Sequence, residues 1–143
     1  MQVQTNNDKT KNTATKQFNL GDTVTWKSHA NGQTTRKMGK IIAVISPSKD
    51  GSTGGLRGLP KKLYIDLLRD NYGYSRDAAR QELDKGHYYS WYEELLASKY
   101  KLKFSTIEGM YRDEYHYLVE VDRGEGRKPY LYHPRTNTLS LAD

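Results

Sequence analysis

Four histidines, His29, His87, His116 and His133, are the side chains here that can exchange protons near neutral pH or ligate zinc without cysteine. None stands four residues from another with a carboxylate between them, the spacing that sets two ring nitrogens and a base on one helix face. His116 and His133 could meet across adjacent strands, with Asp113 and Glu114 close in sequence. Neighbouring strand residues point to opposite faces, so Asp113 and Glu114 cannot easily share one proton; Glu93 and Glu94 are the other carboxylate pair. The loop Gly51-Ser52-Thr53-Gly54-Gly55-Leu56-Arg57-Gly58 offers amides and a cation to a phosphate. It lacks the Gly-Lys-Ser/Thr ending of a nucleotide loop, and Pro60 removes an amide where a cradle needs one. No Gly-x-Ser-x-Gly elbow is present. These absences point to binding without turnover: no catalytic residue, no metal and no cofactor is expected.

Rings and cations are the more suggestive chemistry. Tyr88, Tyr89, Trp91 and Tyr92 crowd together just after His87. A helix cannot bury side chains on every side unless enclosed, so some of these rings serve either as packing or as anchors for a partner. Trp26, Tyr130 and Tyr132 could line a shallow groove with Arg36, Lys37, Lys40 and Arg135 around it. Aromatics interleaved with cations suit a nucleic-acid backbone or an acidic peptide. Trp26 also alternates in phase with Val24, which favours a core position over the groove.

The elements that position these groups follow from the patterning. Residues 1–16 are rich in Thr, Asn, Gln and Lys with little to bury, so a disordered tail is expected, with one domain over 17–143. Leu20-Gly21-Asp22 predicts a turn, and the alternation of Val24 and Trp26 with Thr23, Thr25 and Lys27 predicts a strand over 22–28. Asn31-Gly32 is a tight hairpin signal, and a second strand is expected over 34–45, with Gly39 marking a bulge or bend. Its end, Lys40-Ile41-Ile42-Ala43-Val44-Ile45, is apolar on both faces and so should be central and covered. Residues 46–58 read as an exposed loop.

Three short helices are expected in an insert over about 60–104. Pro60 opens the first and Gly73 stops it. Ser75 caps the second, with Gly86 beyond its end, and Ser90 with Glu93 has capping-box spacing for the third. After Gly109 the period of two returns, placing Tyr115, Tyr117, Val119 and Val121 on one face. A polar turn over 122–127 leads to a strand at Tyr130 and Tyr132, and Leu139 to Leu141 could close the sheet edge.

The chain has 143 residues, about one domain's worth, and 35% of them are hydrophobic, supplemented by the rings of 12 Tyr and 2 Trp. No cysteine is present, which excludes disulfides, thiol nucleophiles and Cys-ligated metal sites. No apolar run is long enough for a membrane span, and residues 1–16 lack the apolar centre of a signal peptide, so a cytoplasmic protein with no membrane partner is expected. The net charge of +6 is concentrated: Lys9, Lys11, Lys16, Lys27, Arg36, Lys37 and Lys40 face only Asp8 and Asp22 in residues 1–47. Such a local excess attracts nucleic acid or an acidic protein surface, and it also solubilises.

Gly21-Asp22-x-Val24-x-Trp26, then Gly39-Lys40, then Arg112-Asp113 with Tyr117-Leu118-Val119, and finally Tyr132, Pro134 and Arg135 occur in an order that resembles small SH3-like barrels of the Tudor or KOW type. More narrowly the pattern resembles uncharacterised bacterial and phage proteins. His133 departs from it, standing where an aromatic is expected, and the resemblance leaves out the insert. It implies an α+β fold, an antiparallel SH3-like barrel with a helical insertion, and a phage or mobile-element ancestry.

Two functions remain open on this sequence. One is a binding protein acting on nucleic acid or its processing machinery through the basic hairpin and the aromatic insert. The alternative is a phage inhibitor of a host defence nuclease, of the anti-CRISPR type, docking by protein–protein contact. The candidate contacts are Trp26, Arg36, Lys37, Lys40, Tyr88, Tyr89, Trp91, Tyr92, Tyr132 and Arg135. Nothing in the sequence sets an oligomeric state.

Overall fold

The computed structural model describes residues 15–30, 32–47, 60–85, 88–104 and 113–142. Most of the expected tail, most of the loop over 46–58, and Gly86, His87, Gly109 and Arg112 lie outside the described residues.

The alternating segment near the start forms β1 (Thr23–Ala30), and β2 (Gln33–Ile45) follows it, antiparallel, with Ala30 opposite Gln33. Only two residues join the strands, and Gly32 takes a φ of 76°, the left-handed conformation that an Asn-Gly turn supplies. The insert folds as α1 (Lys61–Tyr72), α2 (Arg76–Asp84) and α3 (Tyr88–Lys99). The chain then returns to the sheet as β3 (Lys101–Leu102), β4 (His116–Val121), β5 (Tyr130–Tyr132), a 3-10 turn over Thr136–Thr138, and β6 (Ser140–Leu141).

The six strands make one sheet in the order β3-β5-β4-β2-β1-β6. Segments near the two ends of the chain are therefore joined: β2 pairs with β4, and β6 pairs with β1. The fold is α+β, as expected. Hydrogen-bonded pairing runs from β3 to β6 without linking those two, so the sheet is open and no closed cylinder is formed by these pairings. Each edge strand has two residues, too few to template further pairing.

The sheet is apolar on both faces, and a single irregularity in β2 explains how one strand serves both. Ile41 stands opposite Val119 but Ala43 stands opposite Leu118, so an extra residue enters at Ile42 and the phase of the strand flips. Before the bulge, Ile41 joins Phe18, Val24, Trp26, Tyr117, Val119 and Leu139 on one face. After it, Ala43 and Ile45 join Leu118, Leu131 and the helical residues Tyr64, Leu67, Leu68, Ala79, Tyr92, Leu95 and Leu96 on the other. The insert is the cover that the doubly apolar strand required. Each fully buried Leu or Ile contributes roughly 1.5–3 kcal/mol.

Gly39 is not the bulge. It stands opposite Val24 at a point where β4 passes so close that a Cβ would collide with the Glu120 carbonyl oxygen and lie 2.8 Å from Val119 Cγ1. The glycine is required by the close approach of the β4 backbone.

The helix ends follow local chemistry. Pro60 is the residue before α1, extended at ψ 136°, so it precedes the first turn. Gly73, left-handed at φ 72°, closes α1: its N–H donates to the Arg69 carbonyl and the Tyr74 N–H to that of Leu68, satisfying carbonyls the helix leaves open. Ser75 Oγ accepts from the Ala78 N–H at 3.1 Å and starts α2. The expected cap at Ser90 is corrected: α3 starts at Tyr88, which places Ser90 inside the helix.

Candidate functional site

Beyond Trp26 the β1–β2 hairpin leaves the core. Lys27, His29 and residues 32–36 are all exposed, so an antiparallel ribbon extends some four residues per strand, roughly 13 Å at the rise of a β-strand. Opposed residues share a face, so Lys27 and Arg36 lie together on one side. Arg36 Nη1 donates to Thr25 Oγ1 at 2.6 Å, and Thr34 Oγ1 lies 2.9 Å from His29 Nδ1. Lys40 lies on the same side as Arg36, opposite Thr23 and Glu120. Lys37 is on the reverse side, opposite Trp26.

At the base of the ribbon, rings and cations converge. Lys37 Nζ lies 5.4 Å from the centre of the Tyr132 ring, which meets Trp26 edge-on at 5.4 Å. Tyr132 in turn meets Tyr130, two residues earlier on the same strand face, at 5.8 Å. Tyr130 is contacted by Arg123, whose Cζ is 4.4 Å from the ring centre, and by Lys103, whose Nζ is 4.9 Å away. A hydrogen bond from Arg123, then its charge and those of Lys103 and Lys101, hold the Tyr130 phenol below its usual value. Three strands (β1, β2 and β5), the residue that follows β3 and a turn thus assemble one band of three rings and three cations. Cation–π contacts of this kind contribute about 0.5–1 kcal/mol each where exposed.

The candidate residues divide. Trp26, Lys37 and Tyr132 come together; Arg36 and Lys40 flank them on the opposite face of the ribbon. Arg135 is exposed at the start of the 3-10 turn, and among the described residues no contact joins its side chain to the band. Trp26 itself is buried, so it supports Tyr132 from within and does not reach a partner. Tyr92 is corrected in the same way: it is wholly buried, its hydroxyl donates to the Pro60 carbonyl at 2.6 Å, and its ring lies 5.3 Å from Tyr64. It is the enclosed side of α3. Trp91 is half-buried and lies 5.8 Å from Tyr72, whose side is exposed. The side chains of Tyr88 and Tyr89 lie outside the described residues.

Sequence reading missed Lys103 and Arg123. Neither is near Tyr130 in an obvious pattern; the parallel pairing of Lys101 with Tyr130 brings Lys103 alongside, and the turn over 122–129 folds Arg123 back. Arg123 is fixed there by donating from Nε to the Lys128 carbonyl at 2.6 Å.

The expected meeting of His116 and His133 does occur, at 2.7 Å between ring nitrogens. Among the described residues no group of three or more His, Asp or Glu is arranged to hold a metal ion. Nor, among them, is any helix long and apolar enough to cross a membrane. Comparison with known proteins finds no matching family model, no matching curated protein and no matching solved structure.

Proposed function

We propose that this protein is a non-catalytic binding module, cytoplasmic, that engages nucleic acid or the machinery that processes it through the β1–β2 ribbon and the band of rings and cations at its base. The contact of Lys37 and Tyr132, continued through Tyr130 to Lys103 and Arg123, carries this reading. Cations neutralise phosphates and release counterions, while ring faces within a few ångströms accept unpaired bases. The ribbon adds Lys27 and Arg36 on an exposed arm of dimensions that a nucleic-acid groove admits. We further read the sheet as a small SH3-like barrel of the Tudor or KOW kind, as in phage proteins. The return of β6 to the side of β1, and the bulge that lets β2 pack on both faces, support that reading.

The test is fluorescence anisotropy with labelled single-stranded and duplex oligonucleotides. Affinity is expected to drop steeply between about 50 and 200 mM salt, and replacing Arg36, Lys37 and Lys40 together with Gln should remove most of it. A salt-independent response, or no binding at the lower salt, sinks the proposal.

A second reading, inhibition of a host defence nuclease in the anti-CRISPR manner, is favoured by one observation: the exposed ring of Tyr72 meets Trp91, half-buried at the rim of the insert's core. Tyrosine and tryptophan are the residues that anchor protein interfaces. In that case Trp91→Ala abolishes a complex with the nuclease while nucleic-acid affinity is unchanged.

A further inference from the structure

The geometry points to a second anion site, in the cleft between α1 and α2, that takes a phosphate group. This cleft of ≈ 350 Å³ is lined by Lys62, Ile65, Asp66, Arg69, Arg76 and Arg80. Its one carboxylate is already engaged: Asp66 Oδ2 lies 2.8 Å from Lys62 Nζ. Among the described residues no ion pair or side-chain hydrogen bond engages Arg69, Arg76 or Arg80, and all three are exposed. Three guanidinium groups outside any ion pair therefore share one small concavity, with Asp66 in its lining and Asp77 next to Arg76 in the first turn of α2.

Helix electrostatics accounts for Arg69, a cation in the last turn of α1, but not for Arg76 and Arg80. Arg76 and Arg80 are one turn apart on a nine-residue helix, where like charges repel. Arg76 is also the first helical residue, at the end where the helix dipole is positive and a cation is unfavourable. A bound anion relieves both conflicts. Phosphate matches better than carboxylate, because each guanidinium fork takes two oxygens and a carboxylate has only two to give. The cleft is within the volume range of small-molecule sites, enough for a phosphate with part of a nucleotide. This chemistry has two sources, a free nucleotide or pyrophosphate and the terminal phosphate of a nucleic-acid strand. The site is independent of the ribbon, and its existence does not rest on the function proposed above.

Nuclear magnetic resonance of the arginine Nε–H groups tests it, with the full chain titrated at constant ionic strength with pyrophosphate, with adenosine 5′-monophosphate, and with chloride as control. Saturable shifts at Arg69, Arg76 and Arg80 are expected with both phosphates and not with chloride. The double variant Arg76→Gln, Arg80→Gln should bind at least about tenfold more weakly, with melting temperature held or raised because the repulsion is gone. The double variant Arg76→Lys, Arg80→Lys should fall between, and the Gln variant of Arg36, Lys37 and Lys40 should bind pyrophosphate as the parent does. Tighter binding of a 5′-phosphorylated than of a 5′-hydroxyl oligonucleotide assigns the site to strand ends; equal binding assigns it to free phosphates. Absence of saturation, shifts equal to those with chloride, or unchanged binding by the Gln double variant overturns the site.

Discussion

His116 Nδ1 and His133 Nε2 lie 2.7 Å apart, one ring wholly buried in the sheet and the other just beyond β5. The pairing of Val119 with Tyr132 makes them diagonal neighbours across β4 and β5. At that distance one nitrogen donates and the other accepts, so the pair holds together only while at least one of the two rings is neutral.

Removing one ring weighs that contact. His133→Ala takes the partner from the Nδ1 of a wholly buried ring, and urea melts at a single neutral pH should show a loss of about 1–3 kcal/mol. Stability equal to that of the parent would mean that the pairing contributes nothing to the fold.

Gly39→Ala tests the close approach of β2 and β4. The added methyl meets the Glu120 carbonyl oxygen and Val119 Cγ1, both in or against the backbone of a central strand that cannot retreat. Overpacking of this kind costs about 1–3 kcal/mol. The midpoint of chemical unfolding should shift down accordingly, and a neutral result would mean that the strands separate easily at this point.

Local patterns were legible and long-range ones were not. The hairpin could be read because its signals, alternation from Val24 to Lys27 and a two-residue Asn-Gly turn, lie within a few residues of what they specify. The face of Tyr117, Val119 and Val121 was legible for the same reason. The bulge at Ile42 was not, because residues 41–45 are apolar on both sides and leave no alternation to reveal a change of phase. Gly39 was recognisable as special, yet its cause lies in β4, some eighty residues on. The ring band was half legible: Trp26, Lys37 and Tyr132 were singled out, but the arrival of Lys103 and Arg123 at Tyr130 depends on strand pairing that no local motif encodes. The α1–α2 cations did leave a signal, since Lys62 with Arg69 and Arg76 with Arg80 are spaced to share helix faces.

Alkaline conditions should expose the enclosed tyrosines. Burial, followed by the charge of Glu82, pushes the Tyr64 phenol from 10.0 up to about 12. Burial also raises Tyr100, with Glu120 and Asp70 adding to it. A phenol whose folded value is raised contributes stability that is intact below its unfolded value and is lost as pH climbs through the folded one. Unfolding should therefore become easier from about pH 10 upward, and phenolate absorbance should rise in step with loss of the fold. Tyr64→Phe should blunt that loss.

Adjacent residues of α3 offer a clean separation of folding from recognition. Tyr92 fills the enclosed cluster with Tyr64 and Leu96 and donates to the Pro60 carbonyl, so Tyr92→Ala empties a ring-sized space and removes that hydrogen bond. A loss of about 3–5 kcal/mol is expected, comparable to the whole stability of many domains. Trp91, one residue earlier, is half-buried between that cluster and the exposed Tyr72, and its removal should cost less than that of Tyr92, the ring contact contributing about 0.5–1.5 kcal/mol beyond the area covered. Circular dichroism melts of the two variants decide this order. If Tyr92→Ala melts like the parent, the insert is not held by that cluster. If Trp91→Ala unfolds instead, the pair of Tyr72 and Trp91 is structural, and the nuclease-docking reading loses the surface it requires.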